Sequence, residues 1–408
     1  MRRILGQLHR WLGLATALFL FVAGLTGAII AWDHELDAWL NPELFALPGA
    51  TAALPSHELA RRLEQQEPRL RVRYMPLNVE PEHTLLMFVE GRVDPATKRP
   101  YELGYDQVAV DPRNGAILGR RRALSAASLS RAEIIPFLYK LHYTLHLPAV
   151  GGFPTGKWLM GLVAIVWFVD GFVALWISFP SWRVWRKSFA FRFRQGAHKL
   201  TFDLHRSSGV WAWLLLTVLA FTAISMNLSR ELVRPTISLL ATLTPTPFDH
   251  PPTPRAGDPT LTREQVMELA RTHAAALGIR APLGGVLYSG ARHLYLAGFY
   301  EPGNEHGDWG LGNARLYFDG DTGELVGKLL PGSGTPGDLF MQAQFPLHSG
   351  RILGKPGRIL ISLLGVVVAL LSATGLLLWA RKRRAHAQRD AGAPGAAELQ
   401  PLAVRLNR

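Results

Sequence analysis

The sequence predicts an α-helical membrane protein: a bundle of four spanning helices from a duplicated unit, with two α+β modules outside the bilayer. Three observations carry this reading. Apolar residues are gathered into four blocks and are not spread with amphipathic periodicity over the 408 residues. Basic residues crowd one side of those blocks, and the order of motifs in the first half returns in the second.

The blocks Trp11–Trp32, Ser207–Ser229 and Ile359–Ala380 contain no Asp, Glu, Lys or Arg, and Trp158–Trp182 contains only Asp170. Each provides the ~20 residues that cross a bilayer core. The first follows a basic start, yet its apolar run exceeds a signal-peptide core and no small-residue cleavage site closes it, so it reads as a retained span.

Charge sets the orientation. Residues 33–140 carry 15 acids and 14 bases, and residues 230–350 carry 12 acids and 9 bases, which leaves 4 acids and 21 bases for everything else. Those bases crowd Arg2, Arg3 and Arg10, the loop Arg183–Arg206, and Arg381–Arg384. Cytoplasmic flanks retain Lys and Arg, so both termini and the short middle loop are expected inside, with two large loops outside. The net charge of +13 is then a topology signal and does not indicate nucleic-acid binding. Cysteine is absent, which excludes disulfides, thiolate metal sites and covalently attached c-type haem.

In chain order, residues 1–32 form the first span and residues 33–140 the first outer module. An interfacial helix over Asp33–Pro48 leads into it. Ser56 is read as the N-cap of a helix Ser56–Gln66, with strands at Arg71–Met75, Thr84–Val89 and Gln107–Val110. Asp111–Gly115 reads as a hairpin turn returning through Ala116–Gly119. Residues 141–182 hold a histidine segment and the second span, 183–206 a basic loop, and 207–229 the third span.

The second outer module, residues 230–345, repeats the order. A Pro-rich linker Thr244–Pro259 precedes a helix Arg263–Leu277 capped by Thr262; strands follow at Gly285–Ser289, His293–Phe299 and Arg315–Phe318. Asp319–Gly323 then turns into Glu324–Gly327. Residues 346–380 hold the second histidine segment and the fourth span, and 381–408 reads as a disordered tail.

Six of the 14 histidines sit at span ends. His9, His198 and His205 fall on the inner side, and His142, His146 and His348 on the outer. Leu8-His9-Arg10 is echoed by Leu204-His205-Arg206. Neutral imidazole ligates haem iron, and a six-coordinate haem takes ligands from opposite faces, hence from different helices. The repeat favours His9 with His205 inside and His146 with His348 outside. His142 and His198 are alternative ligands or supports behind one. One haem near each face would form a relay across a span ~30 Å long.

A discrete zinc site on His142 and His146 is a rival, since i, i+4 is also a zinc spacing, but no Glu completes a HExxH motif. Asp170 is an ionisable group within a span, which points to a proton-relay or propionate-side role or to a hydrogen-bonded structural acid. Arg92, Lys98, Arg99, Arg120–Arg122, Arg292 and His293 offer a surface for an anion, and Tyr300 and Trp309 an aromatic one. Gly310-Leu311-Gly312 lacks the third glycine of a dinucleotide fingerprint.

The Leu8–Trp11 opening, the Trp32–Pro42 exit, Asp111–Gly119, Tyr139–Leu147, His198–Arg206, Asp319–Gly327 and Pro346–Gly350 together carry a resemblance. Over nearly its whole length the chain resembles the PepSY-associated transmembrane family, which includes iron-regulated inner-membrane proteins and ferric-siderophore reductases. The resemblance implies four spans, two PepSY-like periplasmic modules and non-covalent haem b between the helices. It also implies electron delivery to a ferric siderophore outside the bacterial inner membrane.

The function expected is therefore an inner-membrane oxidoreductase that passes electrons from a cytoplasmic or quinol donor through two haems to a ferric complex. The alternatives are a non-enzymatic envelope protein that binds or inhibits a protease or senses the envelope, and an iron-complex permease.

Overall fold

Four long helices organise the chain, and in this computed structural model residues 1–50, 53–249 and 257–391 are described. They are α1 (Arg2–Ile30), α6 (Thr155–Ser178), α7 (Ala197–Asn227) and α11 (Gly354–Ala391). All four are long and apolar enough to cross a membrane. Between α1 and α6 run α2 (Asp33–Leu40), α3 (Pro42–Phe45), α4 (Ser56–Gln66), four strands and α5 (Ile134–Thr144). Between α7 and α11 run α8 (Arg234–Ser238), α9 (Arg263–Ala276), four more strands and α10 (Pro336–Ser349).

Without a hydrophobic drive between helices in lipid, close approach depends on small residues. Gly24 of α1 lies against Gly365 of α11 so tightly that a Cβ on Gly24 would come 2.6 Å from the Gly365 carbonyl oxygen. A Cβ on Gly161 of α6 would likewise meet the Leu228 side chain at 2.5 Å. Leu216, Leu364 and Val368, with Leu20 and Trp167 against them, fill the middle of the bundle. Some hydroxyls within the helices are satisfied by the preceding turn: Thr16 donates to Leu12 O at 2.9 Å and Ser372 to Val368 O at 2.9 Å.

The strands are β1 (Leu70–Pro76), β2 (Leu85–Gly91), β3 (Gln107–Val110), β4 (Ile117–Arg121), β5 (Leu283–Ser289), β6 (Leu294–Phe299), β7 (Ala314–Asp319) and β8 (Leu325–Leu329). They form one antiparallel sheet in the order β4-β3-β2-β1-β5-β6-β7-β8. The two segments between the long helices therefore share a sheet, joined by β1 and β5 through Tyr74↔Leu287, Met75↔Val286 and Pro76↔Gly285. Alternate residues (Val72, Met87, Val108, Val286, Ala297, Phe318) meet α4 and α9 in a common core. Ala109 packs on the other face against Leu44 and Phe45 of α3.

Several boundaries depart from the sequence expectation for local reasons. The interfacial helix over Asp33–Pro48 is broken at Asn41, where Pro42 opens α3. Ser56 is the first helical residue and makes no cap bond, its Oγ being buried without a partner, whereas Thr262 forms a full capping box with Gln265. The tail expected to be disordered continues α11 to Ala391, and Arg381 donates to Thr201 Oγ1 at 3.1 Å. Part of the Thr244–Pro259 linker (residues 250–256) and residues 392–408 lie outside the described residues.

Arginines tie the sheet to the bundle. Arg358, at the start of α11, donates to Ala31 O at 2.7 Å and Glu35 Oε2 at 2.6 Å, with its guanidinium 4.3 Å over the Trp32 ring. Arg121 of β4 and Asp37 of α2 form a buried two-pronged pair at 2.8 and 2.6 Å. Gln107 and the Ala132 carbonyl accept two further Arg121 hydrogens.

Candidate functional site: two facing imidazole pairs

The bundle brings four histidines together in two pairs. At the end far from the sheet, His9 of α1 faces His205 of α7, ring centroids 6.0 Å apart and planes tilted by 48°. At the sheet-side end, His142 of α5 faces His348 of α10 at 6.2 Å and 57°. His142 bonds Thr26, which lies 17 residues beyond His9 on α1, so the pairs are about 25 Å apart along the bundle.

Each ring is held through Nδ1. His142 Nδ1–H donates to Ala23 O at 3.0 Å and lies 3.1 Å from Thr26 Oγ1. His205 Nδ1–H donates to Leu371 O at 3.0 Å, with Thr374 Oγ1 at 3.2 Å, and His348 Nδ1 meets Thr222 Oγ1 at 3.0 Å. Thr26, Thr222 and Thr374 spend their own hydrogens on the carbonyls of Val22, Val218 and Leu370. Their oxygens therefore accept, and the imidazoles carry the proton on Nδ1. His9 differs, because both carboxylate oxygens of Asp170 accept its Nδ1–H at 3.0 and 2.9 Å. All four rings thus leave Nε2 without a hydrogen-bond partner among the described residues.

Glycines make room for two of the rings. A Cβ on Gly27 would lie 2.9 Å from His142 Cε1, and one on Gly375 would lie 3.1 Å from His205 Cε1. Polar atoms buried without a partner occur beside the pairs in sequence: Arg10 Nε follows His9 and Arg206 Nε follows His205. Gln344 Oε1 lies one turn before His348, and Ser225 Oγ lies one turn after Thr222.

The pairing of His146 with His348 expected from the repeat is not the one formed. α5 stops at Thr144, and Leu145 and His146 both adopt positive φ, 53° and 56°. That turn sends the His146 ring back along α5, stacked 4.0 Å from Phe137 with Nε2 bonded to Phe137 O at 2.9 Å. The i, i+4 face needed for a zinc pair is lost with it. His198 is exposed in the first turn of α7, two turns before His205. Among the described residues no group of three or more His, Cys, Asp or Glu is arranged to hold a metal ion.

The basic residues weighed as an anion surface are largely engaged in ion pairs: Arg92 with Glu64 and Asp258, Arg120 with Glu67, Arg121 with Asp37, Arg122 with Glu133, and His293 with Asp321. Tyr300 is buried and hydrogen-bonded to Tyr74. Burial pushes the Tyr74 phenol up to about 12 and Tyr300 further still, so both stay neutral near pH 7. Trp309 closes onto Gly354 at the head of α11.

α10, which carries His348 in its last turn, is capped at its N-terminus. Thr335 accepts from Asp338 N at 3.1 Å while Asp338 accepts from Thr335 N at 3.0 Å, and Thr244 adds two further bonds to that carboxylate. Burial alone would raise the Asp338 pKa; the bonds from Thr244 and Thr335 outweigh it and hold the group below its ordinary value. Its stabilisation is therefore present above the unfolded-state value of ~3.9 and lost as pH falls through the lower folded-state value. Asp338→Asn is expected to cost about 0.5–2 kcal/mol at pH 7. Thermal unfolding at pH 7 and pH 3 checks it, since the gap between variant and parent should shrink at pH 3.

Fold and site together define a helical membrane protein with four candidate spanning helices and histidine pairs near both ends of its bundle. The chain belongs to the family described as the PepSY-associated TM region, whose model matches residues 7–382. No curated protein matches it.

Proposed function

We propose that this protein is an inner-membrane oxidoreductase that carries electrons across the bilayer to a ferric complex, of which a ferric siderophore is the leading candidate. The observation that supports this most is the pair of facing imidazole sets with ring separations of 6.0 and 6.2 Å. Two imidazoles on opposite sides of one iron, each nitrogen ~2 Å from it, have ring centroids roughly 6 Å apart. Two nitrogens alone underfill a bare ion, which takes four ligands or more, but would suffice for a cofactor that brings further metal ligands of its own.

His9 and His205 would hold one haem b and His142 and His348 the other. Such a haem supplies one-electron chemistry when bound. The chain's own part is to fix the tautomer through each Nδ1–H, which presents Nε2 and raises its basicity. Arg10 and Arg206 each keep a buried Nε free to donate to an anionic group such as a propionate. In this reading the basic flanks place the His9 end at the cytoplasm. The sheet then lies in the periplasm, where the ferric complex is met, and electrons enter from a cytoplasmic or quinol donor. The matched orders of helix, four strands and histidine segment reflect a duplicated unit with two PepSY-like halves.

Protein purified after expression with haem available is expected to show low-spin haem absorption that sharpens on dithionite reduction, at two haems per chain. In vesicles it should oxidise with an external ferric chelate, the ferrous product being trapped by a ferrous-specific chelator. Absence of haem absorption would overturn the proposal and leave a non-enzymatic envelope role.

A further inference from the structure

Of the four paired histidines, three give Nδ1–H to neutral oxygens: His142 to the Ala23 carbonyl, His205 to the Leu371 carbonyl and His348 to the Thr222 hydroxyl. Only His9 gives it to a carboxylate, Asp170, with both oxygens within 3.0 Å. The difference falls at matching places in the two halves. Asp170 lies 13 residues after Lys157, and Leu371 lies 13 residues after Arg358, the basic residues that head α6 and α11. One half thus holds its far-end imidazole with a side-chain anion where the other uses a backbone dipole. Asp170 is buried and forms no ion pair with any Lys or Arg among the described residues; His9 is the basic side chain within 4 Å of it.

A carboxylate behind an imidazole raises the basicity of the ligating nitrogen, and in a low-dielectric bundle its charge favours the more positive state of whatever that nitrogen binds. Hydrogen bonding behind the axial ligand is one of the levers by which a protein sets a haem potential. Resting on the two-haem reading above, we infer that Asp170 is a positioning residue that makes the His9–His205 site the more reducing of the two, and so sets the direction of transfer toward the sheet side. With haems bound, the His9–His205 site would give up one electron and the His142–His348 site would take up that one electron, with no bond or proton changing hands.

Potentiometric titration of the purified, haem-loaded protein followed by absorbance tests this. Wild type is expected to show two one-electron waves, and His205→Ala to retain only the higher. Asp170→Asn should keep both haems and raise the lower wave by about tenfold in the oxidised-to-reduced equilibrium, or 59 mV for one electron, with the higher wave unmoved. Asp170→Glu, which keeps the charge, should leave the lower wave near its original place; a merely structural role would move Glu and Asn variants alike. The inference is overturned if Asp170→Asn holds two haems with an unshifted lower wave, if Glu moves it as far as Asn, or if His205→Ala removes the higher wave. Wild-type protein without haem would instead overturn the functional reading, before any variant is compared.

Discussion

On the proposed two-haem reading, His348→Ala is expected to remove one haem and His205→Ala the other, each lowering the haem-to-protein ratio from about two to about one, while His146→Ala removes neither. The basis is geometric. His348 and His205 present Nε2 with no hydrogen-bond partner among the described residues, whereas His146 Nε2 is already bonded to Phe137 O at 2.9 Å. Losing one of two axial nitrogens leaves a site with half its protein ligands, and removing even a group behind a ligand typically costs 10–100-fold in metal affinity. Haem extracted from purified protein and quantified against chain concentration decides it. A ratio that drops for His146→Ala but not for His142→Ala would mean that the sheet-side pair is wrongly assigned.

Arg121→Ala is expected to destabilise the protein by about 3–5 kcal/mol, because it strands the buried Asp37 carboxylate while deleting its partner. Arg121 and Asp37 are both buried, their bonds run at 2.8 and 2.6 Å, and Asn41 Nδ2 reaches the same carboxylate at 2.8 Å. The pair fastens the sheet's edge strand to the helix that leaves α1. Thermal melting in detergent should show a large fall for the single variant and a smaller one for Arg121→Met combined with Asp37→Leu, which buries no unpaired charge. A single variant that melts with the parent would show that the pair is not what joins sheet and bundle.

Parts of this site are legible in the residues alone. The repeated Leu-His-Arg at His9 and His205 marks two equivalent span ends, and facing helices bring those rings together as the repeat predicts. The choice between His142 and His146 is different in kind. It turns on where α5 ends, and α5 ends in a left-handed turn at Leu145 and His146 that has no glycine to announce it. Asp170 stands out in the sequence as a costly charge in a span, but nothing local says that it meets His9, which lies 161 residues away on another helix. The same holds for the sheet. Each strand's alternation is readable, yet the β1–β5 pairing that merges two segments into one sheet joins residues separated by an entire half of the chain.

The sequence by itself determined the four candidate spanning helices, the helix-and-strand order of the two segments between them and the set of histidines at helix ends, because apolar length and short-range periodicity are local properties. The tertiary structure alone decided which histidines face each other, which oxygen holds each Nδ1–H, and that those two segments share one sheet. These depend on contacts between distant segments, where a turn of one residue redirects a ring and a missing Cβ decides how closely two helices approach.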